Sequence, residues 1–234
     1  MSITGLKLAA LYGFYPHQLG FCGSPNESTK RKLEDFLING ESILEQEIRD
    51  ILKTFKNAFT YYQLIAQSNG IADPFDEKVV KAYWIGNQLL ENVSLAALQE
   101  TIKSFLPPKL AKKIKEIPLN AKPHHNFHVL FVEPWRSREA LKNELLDVCR
   151  IGWGKVNKIS DGELTVCYQP LIKKKGKYCL DEPVEKTVFW EKQFIPEIKL
   201  RDYVAIHWRQ VMQVLQPEEL FSLKKYTQLT IESL

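Results

Sequence analysis

Apolar positions recur at three- and four-residue spacings through the first half of the chain and at alternate positions through much of the second, so the sequence predicts helices followed by short strands. The clearest helix spans 41–67, where Leu44, Ile48, Ile51, Leu52, Phe55, Phe59, Tyr62 and Ala66 share one stripe. Ser42 and Glu45 fit a reciprocal cap at its start, and Asn69-Gly70 supplies a left-handed stop. A shorter helix is expected over 27–38, with Leu33, Phe36 and Leu37 inward and Asn39-Gly40 as the turn that follows. Asp73-Pro74 opens another, carrying Val80, Tyr83, Trp84, Asn87 and Leu90, and Ser94 caps one with Leu98, Ile102 and Phe105 that ends at Pro107-Pro108. A basic helix over 109–117 then runs into Pro118 and Pro123.

The period changes after residue 125. Residues 126–132, Asn-Phe-His-Val-Leu-Phe-Val, read as one buried strand, followed by a helix over 137–148 with Leu141, Leu145 and Val148 inward. From Cys149 onward the pattern alternates: Leu164, Val166 and Tyr168 against Thr165, Cys167 and Gln169, then Val204, Ile206 and Trp208 against Tyr203, Ala205 and His207. Asp161-Gly162 makes a hairpin turn between the first two strands, and further strands are expected near 178–181 and 186–191. About five short strands in so little sequence close into a small barrel, and a helix from Pro217 ends the chain. The expected class is α+β: an all-helical domain over 1–120, a linking strand and helix over 121–148, and a small barrel with a C-terminal helix over 149–234.

Composition narrows the classes. With 234 residues, 44% hydrophobic and 26% charged, the chain can bury a substantial core. It shows neither a basic-then-apolar leader nor an apolar run near the ~18 residues a membrane span needs, so a cytoplasmic protein with no membrane partner is expected. Cys22, Cys149, Cys167 and Cys179 form no C-x-x-C pair, and their scatter reads as reduced thiols. The net charge of +4 sets 32 basic against 28 acidic residues, too balanced to demand nucleic acid. The lysine clusters at 112–115 and 173–177 read as solvated charge, and the strands lack aromatic pairs placed for base stacking.

Chemistry gathers at three places. The first is Cys149-Arg150-Ile151-Gly152-Trp153-Gly154-Lys155-Val156 with Asp202-Tyr203-Val204-Ala205-Ile206-His207, a cysteine opening the barrel and a histidine on its closing strand. In order and spacing this region, through the Leu- and Glu-rich helix that begins Pro217-Glu218-Glu219-Leu220, resembles the HypC/HupF family of hydrogenase-maturation chaperones over about 85 residues. Cys149 is internal rather than following an initiator methionine, and Trp153 stands where the family has proline. The resemblance implies an OB-like barrel, iron bound transiently through Cys149 and His207, and a protein partner such as a metalloenzyme precursor or assembly scaffold. Thiolate and imidazole suit such an ion.

The second place is His124-His125-Asn126-Phe127-His128. On a strand His124 and His128 would share a face about 13 Å apart, too far for one ion unless the chain folds back. The third is His17 with Cys22 inside the Gly- and Pro-rich stretch 16–25, where a helix starting near Asn26 would lower the thiol pKa. Two functions follow. One is a non-catalytic accessory protein of metallocentre assembly acting through Cys149 and His207. The alternative is a metal- or thiol-dependent enzyme built at the domain interface from His17, Cys22, His124, His125 and His128. Structural readings stand beside both: a buried small cysteine, a hydrogen-bonded histidine cluster, and a tightly packed loop.

Overall fold

A computed structural model describes residues 4–23, 25–40, 45–136 and 143–234. The class is α+β, helices first and strands after. The chain begins with α1 (Gly5–Gln18), a helix the spacing does not announce because it is apolar on nearly every side, with Leu6, Leu8, Leu11, Tyr12 and Phe14 all buried. A helix of that kind belongs inside a core. Its one sequence signal is Thr4, whose side chain accepts from the Lys7 N–H and caps the first turn. The helix also takes in Pro16 and His17, which the composition of 16–25 assigns to irregular structure.

α2 (Glu27–Asn39) carries Leu33, Phe36 and Leu37 inward, as its spacing predicts, and is capped by Asn26 and Thr29 reciprocally. The long helix expected over 41–67 is two: α3 (Glu45–Lys53) and α4 (Lys56–Ser68). The expected Ser42 cap and Leu44 lie outside the described residues. Between the two helices the Thr54 hydroxyl donates to the Ile51 carbonyl at 2.6 Å, and Phe55 leaves helical geometry at φ −78°, ψ 62°. That break turns Phe55 inward, where its ring meets His17 at 5.1 Å between centroids. α5 (Glu77–Trp84) starts at an Asp76 cap rather than at Asp73-Pro74. α6 (Leu95–Phe105) is capped by Ser94, and the basic stretch after it is the 3-10 helix Pro108–Glu116.

The strand expected over 126–132 is helical. α7 (His125–Phe127) passes through a π-helical stretch, His128–Val132, into α8 (Glu133–Arg136). A short apolar run buried on all sides has no period that separates strand from helix. Here the His124 ring decides locally, because its Nδ1 accepts the Asn126 N–H at 3.2 Å and caps a helical turn. α9 (Asn143–Cys149) follows; Leu141 lies outside the described residues.

Seven strands come next: β1 (Gly152–Ser160), β2 (Glu163–Tyr168), β3 (Leu171–Lys174), β4 (Lys177–Leu180), β5 (Val184–Phe189), β6 (Tyr203–His207) and β7 (Gln210–Val214). Five of them form a closed barrel in the order β1-β2-β5-β7-β6. Asp161-Gly162 makes the tight β1–β2 turn, with Ser160 opposite Glu163. β7 has no counterpart among the strands the alternation predicts, and β5 meets it through a single parallel pair, Phe189 with Gln210. The strand expected at 178–181 is β4, which pairs with β3 in a separate hairpin carrying the lysine cluster. α10 (Pro217–Ile231) closes the fold.

The strand alternation separates two cores. Val156, Val166, Val204 and Ile206 fill the barrel, whereas Trp153, Ala205, Met212 and Leu215 join the apolar cluster of the helices, which runs from Leu6 to Tyr226. Gly152 and Gly154 permit this doubly covered strand. A Cβ at Gly152 would lie 2.6 Å from the Tyr168 ring, and one at Gly154 would lie 2.8 Å from Val166.

Asn126 locks helices to barrel. Its Oδ1 accepts the Ile151 N–H at 2.6 Å, while its Nδ2 donates to the Ile151 carbonyl at 2.9 Å and to Thr227 Oγ1 on α10 at 2.7 Å. An Asn126→Ala substitution strands three buried groups, and an equilibrium denaturation series should show a loss of about 3 kcal/mol. A loss below about 1 kcal/mol would mean that water or a side-chain shift replaces the clamp.

Candidate functional site

The residues around Cys149 are fixed from both sides. Arg150, 1% exposed, bonds Asp147 through Nε at 3.1 Å and the Tyr168 hydroxyl through Nη2 at 3.0 Å. Asp147 also accepts the Tyr168 hydroxyl and the Leu171 N–H, each at 2.8 Å, and pairs with Lys186 at 3.2 Å. Burial would raise the Asp147 carboxyl, but Arg150, the Leu171 N–H and Lys186 together hold it below the usual range. The end of α9 is thereby pinned to the barrel one turn from the thiol. On the other side, His125 Nε2 meets the Cys149 carbonyl at 3.0 Å, next to the Asn126 clamp on Ile151.

This brings together residues from three distant parts of the chain. One nitrogen each of His125 and His207 and the Cys149 sulfur all lie within 4.8 Å of one another. Cys149 and His207, which the sequence pattern pairs, do meet, and His125 from the separate histidine cluster joins them. The two rings stand 5.1 Å apart at 80°, and each packs on Trp84, at 4.4 Å for His125 and 5.6 Å for His207.

Hydrogen bonds set which nitrogen of each ring carries its proton and which keeps its lone pair. His207 Nδ1 lies 3.0 Å from the Tyr12 carbonyl, so it donates there, and its buried Nε2 makes no hydrogen bond. His125 donates from Nε2 to the Cys149 carbonyl, which leaves Nδ1 to accept from the Tyr83 hydroxyl at 3.2 Å. An imidazole whose other N–H is held by a backbone carbonyl is the usual arrangement of a metal-ligating histidine. Burial drives His207 down to about 3, with the Tyr12 and Cys149 carbonyls opposing more weakly, and burial followed by the His207 neighbour drives His125 well below 6.5. Both rings are therefore neutral at physiological pH; His207 Nε2 offers an open lone pair, whereas that of His125 Nδ1 is taken by the Tyr83 hydroxyl, which must turn away before the ring can hold an ion. Burial pushes the Cys149 thiol up, and Cys22 and Glu133 push it further the same way. Among the described residues no cationic side chain offsets that rise, so a bound metal ion is the group that would bring the thiolate out.

The three residues sit on the wall of a cavity of about 850 Å³. Its buried end is formed by Tyr83, Trp84, His125 and His207, and its rim by the exposed Phe21, Lys56 and Ser104. His128 is also on the wall, its Nδ1 3.2 Å from the Tyr61 hydroxyl and its Nε2 3.3 Å from Glu133. His128 lies in the π-helical stretch, a distortion found often at functional sites. Trp208 occupies the β6–β7 turn at φ 52° rather than a barrel-core position, and its ring stacks on Phe21 at 4.5 Å.

The remaining candidates separate. Cys22 lines the cavity, but burial lifts its thiol to about 12, the reverse of the lowering expected from the helix start at Asn26. His17 is bonded on both nitrogens, to the Cys22 carbonyl at 2.8 Å and Thr29 Oγ1 at 3.0 Å, so it is no base for that thiol. His124 caps α7, stacks on Tyr226 at 5.7 Å, and does not line the cavity. What the sequence could not signal were Tyr83, Trp84 and Phe55 as cavity walls, since their helical spacing already assigns them to a core.

Across residues 1–234 the chain matches the model of a family of unknown function, DUF6390. No curated protein and no solved structure matches it. Among the described residues no helix is long and apolar enough to cross a membrane.

The buried histidines make stability depend on pH. His124, His125 and His207 have folded pKa values below 6.5, so below that pH the unfolded chain binds protons that the folded chain refuses. Their contribution is present above pH 6.5 and lost as pH falls toward 3. Unfolding free energies from urea titrations between pH 7.5 and 5 should fall by up to about 1.4 kcal/mol per unit per histidine at the acidic end. A flat profile would place these rings in contact with water.

Proposed function

We propose that this chain, which belongs to the DUF6390 family, binds one soft transition-metal ion through His125, Cys149 and His207 and acts on a small molecule admitted by the cavity. The observation that carries the reading is the convergence of two neutral imidazoles and one thiol within 4.8 Å on a cavity wall. A mixed nitrogen and sulfur donor set favours zinc, or iron(II) and copper in the same geometry. Three protein ligands leave a position for an outside molecule, which is the pattern of catalytic rather than structural metal sites. The ion would supply a Lewis acid there. This chain's own residues supply the rest: Tyr12 and Cys149 carbonyls orient the rings, Trp84 packs both, and His128 stands beside Glu133 at 3.3 Å on the same wall.

Metal content tests this directly. Protein purified with chelator and refilled with Co²⁺ should take up about one ion per chain, with thiolate-to-metal absorption in the near ultraviolet. Cys149→Ser, His125→Gln and His207→Gln should each weaken binding by about 100-fold or more, while Cys22→Ser and His17→Gln leave it intact. Because the thiol must lose a proton, affinity should rise about tenfold per pH unit near neutrality. Equal loading of folded Cys149→Ser protein would sink the proposal.

A second reading is favoured by the meeting of Cys149 with His207 on a five-stranded barrel, the features that resemble the hydrogenase-maturation chaperones. There the protein is a non-catalytic accessory that carries iron transiently for a metalloenzyme precursor or assembly scaffold. Expression under anaerobic conditions with the iron-assembly proteins, followed by infrared spectroscopy, separates the two. Cyanide and carbonyl stretches that disappear in Cys149→Ser favour the carrier; their absence with all partners present removes it.

A further inference from the structure

The cavity around the three donors has walls whose chemistry restricts what it can hold. Its polar groups are largely engaged with one another. Tyr83 meets His125, Tyr61 meets His128 from behind the wall, and His128 meets Glu133. Among the described residues, the buried side-chain polar atoms on the cavity that have no hydrogen-bond partner are His207 Nε2 and the Trp208 indole Nε1. The first is an acceptor and a metal donor, the second a hydrogen-bond donor on the adjacent residue. An indole N–H left buried without a partner is unfavourable, so an occupant that accepts from it is favoured over one that does not.

Much of the remaining surface is apolar, with Lys56, Asn57 and Ser104 as polar members of the lining. Phe55, Trp84 and Phe105 line the interior, and the stacked pair of Phe21 and Trp208 stands at the rim. A volume of about 850 Å³ lies within the range of small-molecule sites, which are mostly apolar with a few fixed polar groups. At the buried end, among Phe55, Trp84 and Phe105, a polar occupant would lose its hydration without replacing it.

We propose that the cavity takes an aryl-bearing small molecule with one oxygen-rich head group, the head at the metal and within reach of the Trp208 N–H, the ring among the aromatic walls. The proposal rests on the metal reading above for the placement of the head, but not for the placement of the ring. It goes beyond that reading by naming the class of molecule: an aromatic acid, amide or hydroxamate rather than a sugar, nucleotide or small inorganic anion.

Benzohydroxamate and acetohydroxamate share a head and differ in the ring, so they are the probes. Titrated into the Co²⁺-loaded protein and followed by the cobalt bands, benzohydroxamate should bind about tenfold or more tightly than acetohydroxamate, from burial of the ring. Ser104 is exposed at the rim, so Ser104→Trp blocks the cavity without altering the core and should abolish that preference. Trp208→Phe keeps the stack on Phe21 but removes the N–H, and should weaken both probes alike. In metal-free protein, saturation-transfer NMR should show magnetisation passing to the benzohydroxamate ring and vanishing in Ser104→Trp. Equal affinity of the two probes, or a ring preference that survives Ser104→Trp, overturns the proposal. If Co²⁺ does not bind, the metal reading fails by itself and the metal-free measurement decides: a ring signal that vanishes in Ser104→Trp supports an aryl site, and the absence of any ring signal ends it.

Discussion

The fold depends on one side chain whose hydrogen bonds all go to other parts of the chain. Asn126 holds both backbone groups of Ile151 and the Thr227 hydroxyl, and it is fully buried. A buried amide satisfied on every side is stable only in one arrangement of its partners, because any shift leaves a desolvated polar group unpaired. The first turn of α7, the start of β1 and the last helix are therefore fixed relative to one another at a single point. The His125 bond to the Cys149 carbonyl is a direct consequence, since it comes from the neighbouring residue onto the same stretch of chain.

That point also explains why the donor set is buried yet preorganised. His207 reaches it because both faces of β6 are covered: Val204 and Ile206 fill the barrel, and Ala205 and His207 turn toward α1 and α5. The Tyr12 carbonyl then sets the His207 ring, and the stack of Tyr12 on Trp84 at 4.9 Å carries the same helix–helix contact beneath both imidazoles. His207 is already set to bind an ion, while His125 must exchange the Tyr83 hydroxyl for it. Apolar burial keeps them neutral and keeps the Cys149 thiol protonated, so the site is uncharged until a cation arrives.

The sequence is most legible where a single face carries the information. The Ser94 cap, the helix starts near Asn26 and at Pro217, the stripe of Leu33, Phe36 and Leu37, and the Asp161-Gly162 turn follow from local pattern, because each is decided by nearest neighbours. It is least legible where burial is complete. α1 is apolar on nearly every side, and 126–132 is buried on nearly every side even at Asn126 and His128, so neither has a period to read. The break at Thr54 and Phe55 is hidden for a different reason: the apolar stripe continues across it, and only the pull of Phe55 into the core interrupts the helix.

By itself the sequence determined the class, helices before a small β-barrel, and it marked Cys149, His207 and the 124–128 histidines as the residues with chemistry to offer. It could not say which of them meet. Sequence spacing sets neighbours along a helix or strand, but His125, Cys149 and His207 come from three separate elements, and their approach depends on the Asn126 clamp and on a strand buried on both faces. Only the tertiary structure sent His17 and His124 into hydrogen-bonded and capping roles and His125 to the cavity. The physical reason is that an imidazole's function is set by which of its nitrogens is already bonded, and those bonds run between residues that the sequence places far apart.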